Sequence, residues 1–104
     1  MNKTPKRIIA AGHICIDVTP VFPHARLSFA EALCPGRLTH VDAADIHTGG
    51  SVANTGLALK LLGGDVRLAG KVGDDPFGNM IRDRLKKVGA EEGLLTDPGG
   101  STSY

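Results

Sequence analysis

Aromatic side chains are scarce in this sequence of 104 residues, which has three Phe, one Tyr and no Trp. Single-stranded nucleic acids are usually held by stacking on such rings, so a stacking surface is not expected. An excess of one charge is also missing, because 12 Lys and Arg face 11 Asp and Glu and leave a net charge of +1. This balance argues against a surface that binds polyanions and excludes nucleic acid as the default partner.

Long hydrophobic runs are missing too, and no apolar stretch of the sequence reaches the roughly 18 residues that a membrane-spanning helix needs. The basic start followed by the apolar segment 8–16 has some features of a secretion signal. Gly12 and His13 interrupt that segment, however, and Asp17 follows without a cleavage site. Two cysteines are too few for a disulfide framework. We therefore expect reduced thiols, a cytoplasmic location and no membrane partner.

Glycine, in contrast, is abundant, since 14 of 104 residues is about twice the usual share. Such a chain has many tight turns or places where backbone approaches a ligand closely. The spacing of the apolar residues between the glycines predicts strands and helices in alternation. The first half should hold a strand over 8–18 that ends before Pro20, a loop over 20–36 with a short helix near 28–33, and one or two thin strands within 37–47.

The second half is predicted to hold two helices and further strands. Residues 52–62 form an apolar helix, which should be buried because it is apolar nearly all round. The elements expected after it are a strand over 66–72 interrupted by Gly70, a helix that Asp75 and Pro76 begin and Gly89 ends, a strand from Leu94, and the start of another over 101–104. This order predicts parallel βαβ units with right-handed crossovers.

Two adjacent glycines, Gly49 and Gly50, precede the first long helix. Without side chains, they let a ligand approach the backbone at the helix N-terminus, where amide groups lack partners. Asn54 should follow in the first turn, and its carboxamide offers two donors and an acceptor to sugar hydroxyls. The alternative is a flexible turn followed by a polar capping residue, because paired glycines are common in turns.

Asp17 is the other candidate binding residue, at the carboxyl end of the first predicted strand. Ligands of open α/β sheets bind outside that edge. A carboxylate there can accept hydrogen bonds from two hydroxyl groups. The alternative is an aspartate that begins the turn before Pro20.

Three familiar motifs are excluded. The segment 64–72 has the glycines and lysine of a phosphate-binding loop, but five residues instead of four lie between the glycines, and Val72 stands where Ser or Thr is required. No Gly-x-Gly-x-x-Gly follows the first predicted strand, which argues against a dinucleotide-binding dehydrogenase. A zinc site is not expected, because no second pair at ligand spacing accompanies His13 and Cys15. The other histidines weighed for it are His24, His40 and His47.

The motifs together resemble the N-terminal third of a ribokinase-like carbohydrate kinase of the PfkB family. The resemblance covers residues 8–104 and includes Gly12, Asp17 and the stretches 49–54 and 72–78. The spacing is its specific part: Asn54 falls four residues after Gly50, Gly63 nine residues after Asn54 and Gly73 ten residues after Gly63, as in the family's N-terminal signature. Two positions depart from the strictest form of the signature and are tolerated variants: Val52 and Gly56.

This resemblance implies a three-layer α/β/α fold with a small β-sheet lid, for which the excursion over 20–47 is the candidate. It implies that Asp17, Gly49, Gly50 and Asn54 contact the hydroxyl groups of the substrate, and that a homodimer forms through the lid. Members of this family transfer the γ-phosphoryl group of ATP, with Mg²⁺, to a hydroxyl of a sugar or nucleoside.

The family's catalytic aspartate lies in a Gly-Ala-Gly-Asp motif late in the chain, beside the nucleotide-binding segment. In residues 1–104, the only glycines followed by aspartate are Gly64 and Gly73, and neither has the flanking pattern. We therefore expect these residues to form the N-terminal portion of one domain, the sugar-binding half of a sugar kinase, without a catalytic or metal-binding residue. Two alternatives stay open: a non-catalytic sugar-binding or dimerising fragment, and a nucleoside kinase, which the scarce aromatic residues disfavour.

Overall fold

Eight helices and strands are present in the computed structural model, which describes residues 4–22 and 28–104. In chain order these are β1 (Ile8–Ala11), β2 (Cys15–Val21), α1 (Phe29–Ala32), β3 (Asp42–Gly49), α2 (Gly50–Leu61), β4 (Val66–Gly73), α3 (Pro76–Lys87) and β5 (Gly93–Asp97). His24 and the rest of segment 23–27 lie outside the described residues. In the described part of the chain, every helix falls short of the length and apolar character needed to cross a bilayer.

A parallel sheet with strand order β1-β4-β5 forms the centre of the molecule. Because β4 and then β5 are added on the same side, right-handed crossovers place α2 and α3 on one face of the sheet. That face of β4 carries Val66, Leu68 and Val72, which are buried with Val52 from α2 and Ile81 from α3 in one apolar core. The predicted parallel βαβ arrangement is thus confirmed, and the described residues supply two of the three expected layers.

A second sheet consists of β2 and β3, paired antiparallel. The prediction of one continuous strand over 8–18 is therefore wrong: Gly12, at φ 143°, separates β1 from β2, and the two strands belong to different sheets. Pro20 does not end β2 either, which continues to Val21 with a register shift between Thr19 and Val21. A proline without an amide hydrogen is tolerated at such an irregularity of a two-stranded sheet.

Some of the local predictions hold and others fail. The short helix near 28–33 is α1, which Ser28 begins with a capping box. Only one strand, β3, occurs in the region of 37–47, and it continues to Gly49. The interruption predicted at Gly70 is absent from β4, where a Cβ would meet Ile14 Cγ2 at 3.0 Å. Residues 101–104 are not a strand.

Helix α2 is less buried than its composition predicts. Its buried residues are Val52, Ala53 and Gly56, which face the sheet. Leu61 and Leu62 are 89% and 84% exposed. The physical reason is that one side of the helix packs on β1 and β4, while its last turn borders an open depression lined by Leu57, Lys60, Leu61 and Val88.

Helix α3 follows its sequence signals closely. Asp75 caps it by accepting a hydrogen bond from the Gly78 amide at 2.8 Å, and Pro76 occupies the first helical position. Ile81 and Leu85 are buried, and their spacing of four residues puts them on one face of the helix. Gly89 adopts φ 64° after the last turn, as expected for a glycine that ends a helix.

Candidate functional site

The pairing of β2 with β3 decides which way Asp17 points. Cys15 lies opposite Gly49, and Asp17 lies opposite His47. Alternate residues of a strand face opposite sides of the sheet. Ile16 is fully buried and Ile46 packs against the apolar core, so they define the inner side. Asp17 is therefore on the outer, exposed side, in the middle of β2 and not at the carboxyl end of a parallel strand as predicted.

The carboxylate of Asp17 lies directly against Gly49. A Cβ built on Gly49 would be 2.2 Å from Oδ2 and 2.8 Å from Cγ of Asp17. The backbone of Gly49 is extended, with φ −131° and ψ −170°, so its conformation does not require glycine. The contact with Asp17, however, does require glycine at this position, because any residue with a Cβ would displace the carboxylate.

Gly50 brings the start of α2 against the segment between β1 and β2. It has φ 85°, and a Cβ there would be 2.5 Å from the carbonyl oxygen of His13. The same oxygen accepts a hydrogen bond from the Val52 amide at 3.0 Å. The amides of Gly50 and Ser51 have no acceptor within the helix, and the helix dipole adds partial positive charge beside them. Anions and hydroxyl oxygens are favoured at such a helix start.

Asn54 is the fifth residue of α2, one position beyond the first turn where it was expected. Its side chain is exposed, whereas Val52, Ala53 and Gly56 are buried. At a rise of 1.5 Å per residue, Asn54 lies about 6 Å along the helix axis from Gly50. A carboxylate, two amides that have no acceptor within the helix and a carboxamide thus belong to adjoining elements. These groups can accept hydrogen bonds from hydroxyls and donate to them.

Cys15 is a neighbour of the site that sequence reasoning considered only as a zinc ligand. Its Sγ donates a hydrogen bond to Asp17 Oδ1 at 3.6 Å. Burial, followed by the negative charge of Asp17, raises the pKa of the Cys15 thiol above its usual value. The thiol therefore stays protonated and remains a donor to the carboxylate. The sequence does contain a signal for this contact: Cys15 lies two residues before Asp17, and residues i and i+2 of a strand share a face of the sheet.

His47 and Asp45 also lie on the outer side of β3, where His47 Nε2 is 2.9 Å from Asp45 Oδ1. Among the described residues, no group of three or more His, Cys, Asp and Glu could hold a metal ion. The groups gathered around Asp17 are suited to hydroxyls and do not form a cradle for a triphosphate.

Comparison with known proteins identifies the class of protein to which this chain belongs. The family model for pfkB family carbohydrate kinases matches residues 6–103. The chain therefore belongs to the pfkB carbohydrate kinase family, and the resemblance drawn from its motifs is confirmed.

Alignment with one relative shows what share of that protein's length this chain covers. Fructokinase-2 of Solanum lycopersicum is 37% identical over 97 residues, which are 92% of this chain and 26% of that protein. This chain thus spans about a quarter of the length of that relative.

Solved structures show the same fold. A sugar kinase of Pyrococcus horikoshii in complex with ATP has a TM-score of 0.64 and 28% identity, covering 91% of this chain and 28% of that one. A nucleoside kinase of Burkholderia thailandensis in complex with inosine has a TM-score of 0.62 and 27% identity, covering 93% of this chain and 30% of that one. The predicted ribokinase-like α/β fold is confirmed.

Proposed function

We propose that this chain forms the sugar-binding part of a kinase that transfers the γ-phosphoryl group of ATP, with Mg²⁺, to a hydroxyl of a small sugar. The observation that carries this proposal is the placement of the Asp17 carboxylate against Gly49, directly before the start of α2. Membership of the pfkB carbohydrate kinase family supports it.

Each site residue has a separate task in this proposal. Asp17 accepts hydrogen bonds from two sugar hydroxyls, and Gly49 leaves the space in which its carboxylate lies. Gly50 exposes the first amides of α2, and Asn54 donates to and accepts from further hydroxyls. Phosphoryl transfer depends largely on the positioning of the acceptor oxygen, so these contacts contribute by orientation.

The base that receives the proton of the acceptor hydroxyl is proposed to lie outside this chain. One of the two Gly-Asp pairs ends in Asp65, whose carboxylate is 3.1 Å from Arg7 Nε just before β4 begins. The other ends in Asp74, whose amide donates to the carbonyl of Asp97 at 3.2 Å. Both aspartates lie in the connections next to β4, and the residues before them do not form the Gly-Ala-Gly-Asp motif.

Fructose is the first acceptor to test, because Fructokinase-2 matches nearly all of this chain. A nucleoside is the alternative acceptor, in view of the nucleoside kinase with a similar structure. The excursion over 20–47 has no Phe, Tyr or Trp after Phe29 to stack on a purine base. This favours a plain sugar.

We also propose that a second copy of the protein covers the C-terminal end of β2 together with Phe22, which follows it. Val18, Val21 and Phe22 are 43%, 40% and 46% exposed there, which is unfavourable for apolar side chains in water. Sedimentation of the full-length protein at increasing concentration tests this. Phe22→Ser should shift the equilibrium toward the monomer, whereas Leu95→Ser, at a residue of β5 that is 65% exposed, should not.

Replacement of Asp17 by alanine tests the sugar site. Loss of a hydrogen bond to a charged group costs about 1.5–3 kcal/mol, so the KM for the sugar should rise about 10- to 100-fold. The assay measures phosphorylation of fructose by the full-length protein, with Asp42→Ala at the far end of β3 as the matched control. A KM for the sugar equal to that of the control would remove Asp17 from the site.

A further inference from the structure

The carboxylate of Asp75 makes more contacts than a helix cap requires. Oδ1 accepts a hydrogen bond from the Gly78 amide at 2.8 Å, and this bond caps the N-terminus of α3. The same oxygen accepts a hydrogen bond from the hydroxyl of Thr102, with Oγ1 at 2.6 Å. Oδ2 accepts a hydrogen bond from the backbone amide of Thr102, with the nitrogen at 2.7 Å. Two of the three hydrogen bonds therefore join the start of α3 to a residue 27 positions later in the chain.

Thr102 is held from a second direction as well. Its side-chain oxygen accepts a hydrogen bond from the Gly73 amide at 2.9 Å, where β4 ends. The residue is only 4% exposed, and it is the buried polar residue of the described core. The hydroxyl of Thr102 thus donates one hydrogen bond to Asp75 and accepts another from Gly73. These two bonds fix segment 101–104 against β4 and α3.

The fixed segment in turn holds the strand of the sugar site. The carbonyl of Ser103 accepts a hydrogen bond from the amide of Ile16 at 3.0 Å. Ile16 is fully buried and directly precedes Asp17. In the described residues β2 pairs with β3 alone, and a sheet of two strands has little stability of its own. The contact with Ser103 therefore fixes the other edge of β2 to the parallel sheet.

Two glycines of the 72–78 stretch make room for this arrangement. A Cβ on Gly73 would be 2.3 Å from the carbonyl oxygen of Gly100. A Cβ on Gly78 would be 2.2 Å from the carbonyl oxygen of Gly73 and 3.0 Å from Thr102 Oγ1. Side chains at these positions would push segment 100–103 away from β4 and α3. Gly73, Gly78 and Asp75 thus all allow segment 100–103 to pack against β4 and α3.

We propose that Asp75 and Thr102 are positioning residues for the sugar site. They do not touch the sugar; acting through Ser103 and Ile16, they keep β2 in the place where the carboxylate of Asp17 lies against Gly49. The proposal rests on the proposed function for the role of Asp17 in sugar binding. The hydrogen bonds themselves are independent of that function.

The test compares two substitutions of the same buried residue. Thr102→Val keeps the size of the side chain and removes both hydrogen bonds of the hydroxyl, whereas Thr102→Ser keeps the hydroxyl. In the full-length kinase, Thr102→Val should raise the KM for the sugar about tenfold and leave the KM for ATP within about twofold. Thr102→Ser should restore the KM for the sugar to within about twofold of the wild type. Asp74→Asn is the control for a polar substitution in the same region, at an exposed residue between β4 and α3.

Hydrogen exchange at the Ile16 amide is the second measurement, because this amide donates to Ser103. Thr102→Val should speed its exchange about tenfold relative to Thr102→Ser and Asp74→Asn. Faster exchange together with a raised KM for the sugar supports the proposal. Unchanged exchange, or faster exchange with an unchanged KM, overturns it.

A general loss of folding would give a different result from a positioning effect. It would lower the active fraction and kcat while leaving the KM for the sugar unchanged, and this outcome also overturns the proposal. If the wild-type protein phosphorylates no sugar, the proposed function fails. The exchange of the Ile16 amide then still decides whether the pair of Asp75 and Thr102 holds β2.

Discussion

Gly49→Ala should weaken sugar binding by moving a carboxylate, without straining the backbone. The extended conformation of Gly49 is open to alanine. The added Cβ would be 2.2 Å from Asp17 Oδ2, whereas non-bonded carbon and oxygen atoms rest at about 3.3 Å. The carboxylate must therefore withdraw by about 1 Å. A misplacement of about 1 Å can cost about a hundredfold in rate, and weakened charged hydrogen bonds cost about 1.5–3 kcal/mol.

We accordingly expect the KM for the sugar to rise about 10- to 100-fold in Gly49→Ala. The assay is phosphorylation of the sugar by the full-length protein, with thermal unfolding measured on the same samples. Gly63→Ala is the matched control: Gly63 has φ 83° with no atom within 4 Å of an added Cβ. That variant should lose about 1–2 kcal/mol of stability and keep its KM. A Gly49→Ala protein with the KM of Gly63→Ala would refute the steric reasoning.

Two further predictions concern stability. Gly56→Ala places a Cβ 2.6 Å from Leu68 Cγ where α2 packs on β4, so it should destabilise the fold by about 1–3 kcal/mol; an unchanged urea midpoint would contradict this. Hydrogen bonds from Thr102 and Gly78 lower the pKa of Asp75. The stability that this carboxylate contributes is complete above the unfolded pKa of about 3.9 and is lost as the pH falls below it toward the folded pKa. Asp75→Asn should flatten this acid-side loss in unfolding curves, and an unaltered pH dependence would show that the hydrogen bonds contribute nothing.

Local signals were sufficient where one short stretch of sequence determines a structure. Asp75 and Pro76 mark the start of α3, and Gly89 marks its end, because a side-chain cap, a fixed φ and a left-handed φ each act within a few residues. The paired glycines mark the start of α2 for the same reason, although only Gly49 precedes the helix and Gly50 is its first residue.

Long-range contacts account for what the sequence could not predict. The apolar alternation over 8–18 is the same whether one strand or two are formed, and the division at Gly12 depends on the pairing of β2 with β3 about 30 residues later. Gly56, a departure from the family signature, is explained by Leu68 of β4. The contact of Asp17 with Gly49 likewise appears only once the two strands are paired.

The central claim is tested most directly by assaying ATP consumption with the full-length protein over a panel of sugars and nucleosides, with its intact mass determined in parallel. The proposal predicts the mass of a chain close in length to the fructokinases and turnover on one sugar, with fructose as the first candidate. Turnover on nucleosides alone would reassign the acceptor. A mass of 10.8 kDa with no turnover on any acceptor would contradict the account and leave a sugar-binding or dimerising fragment.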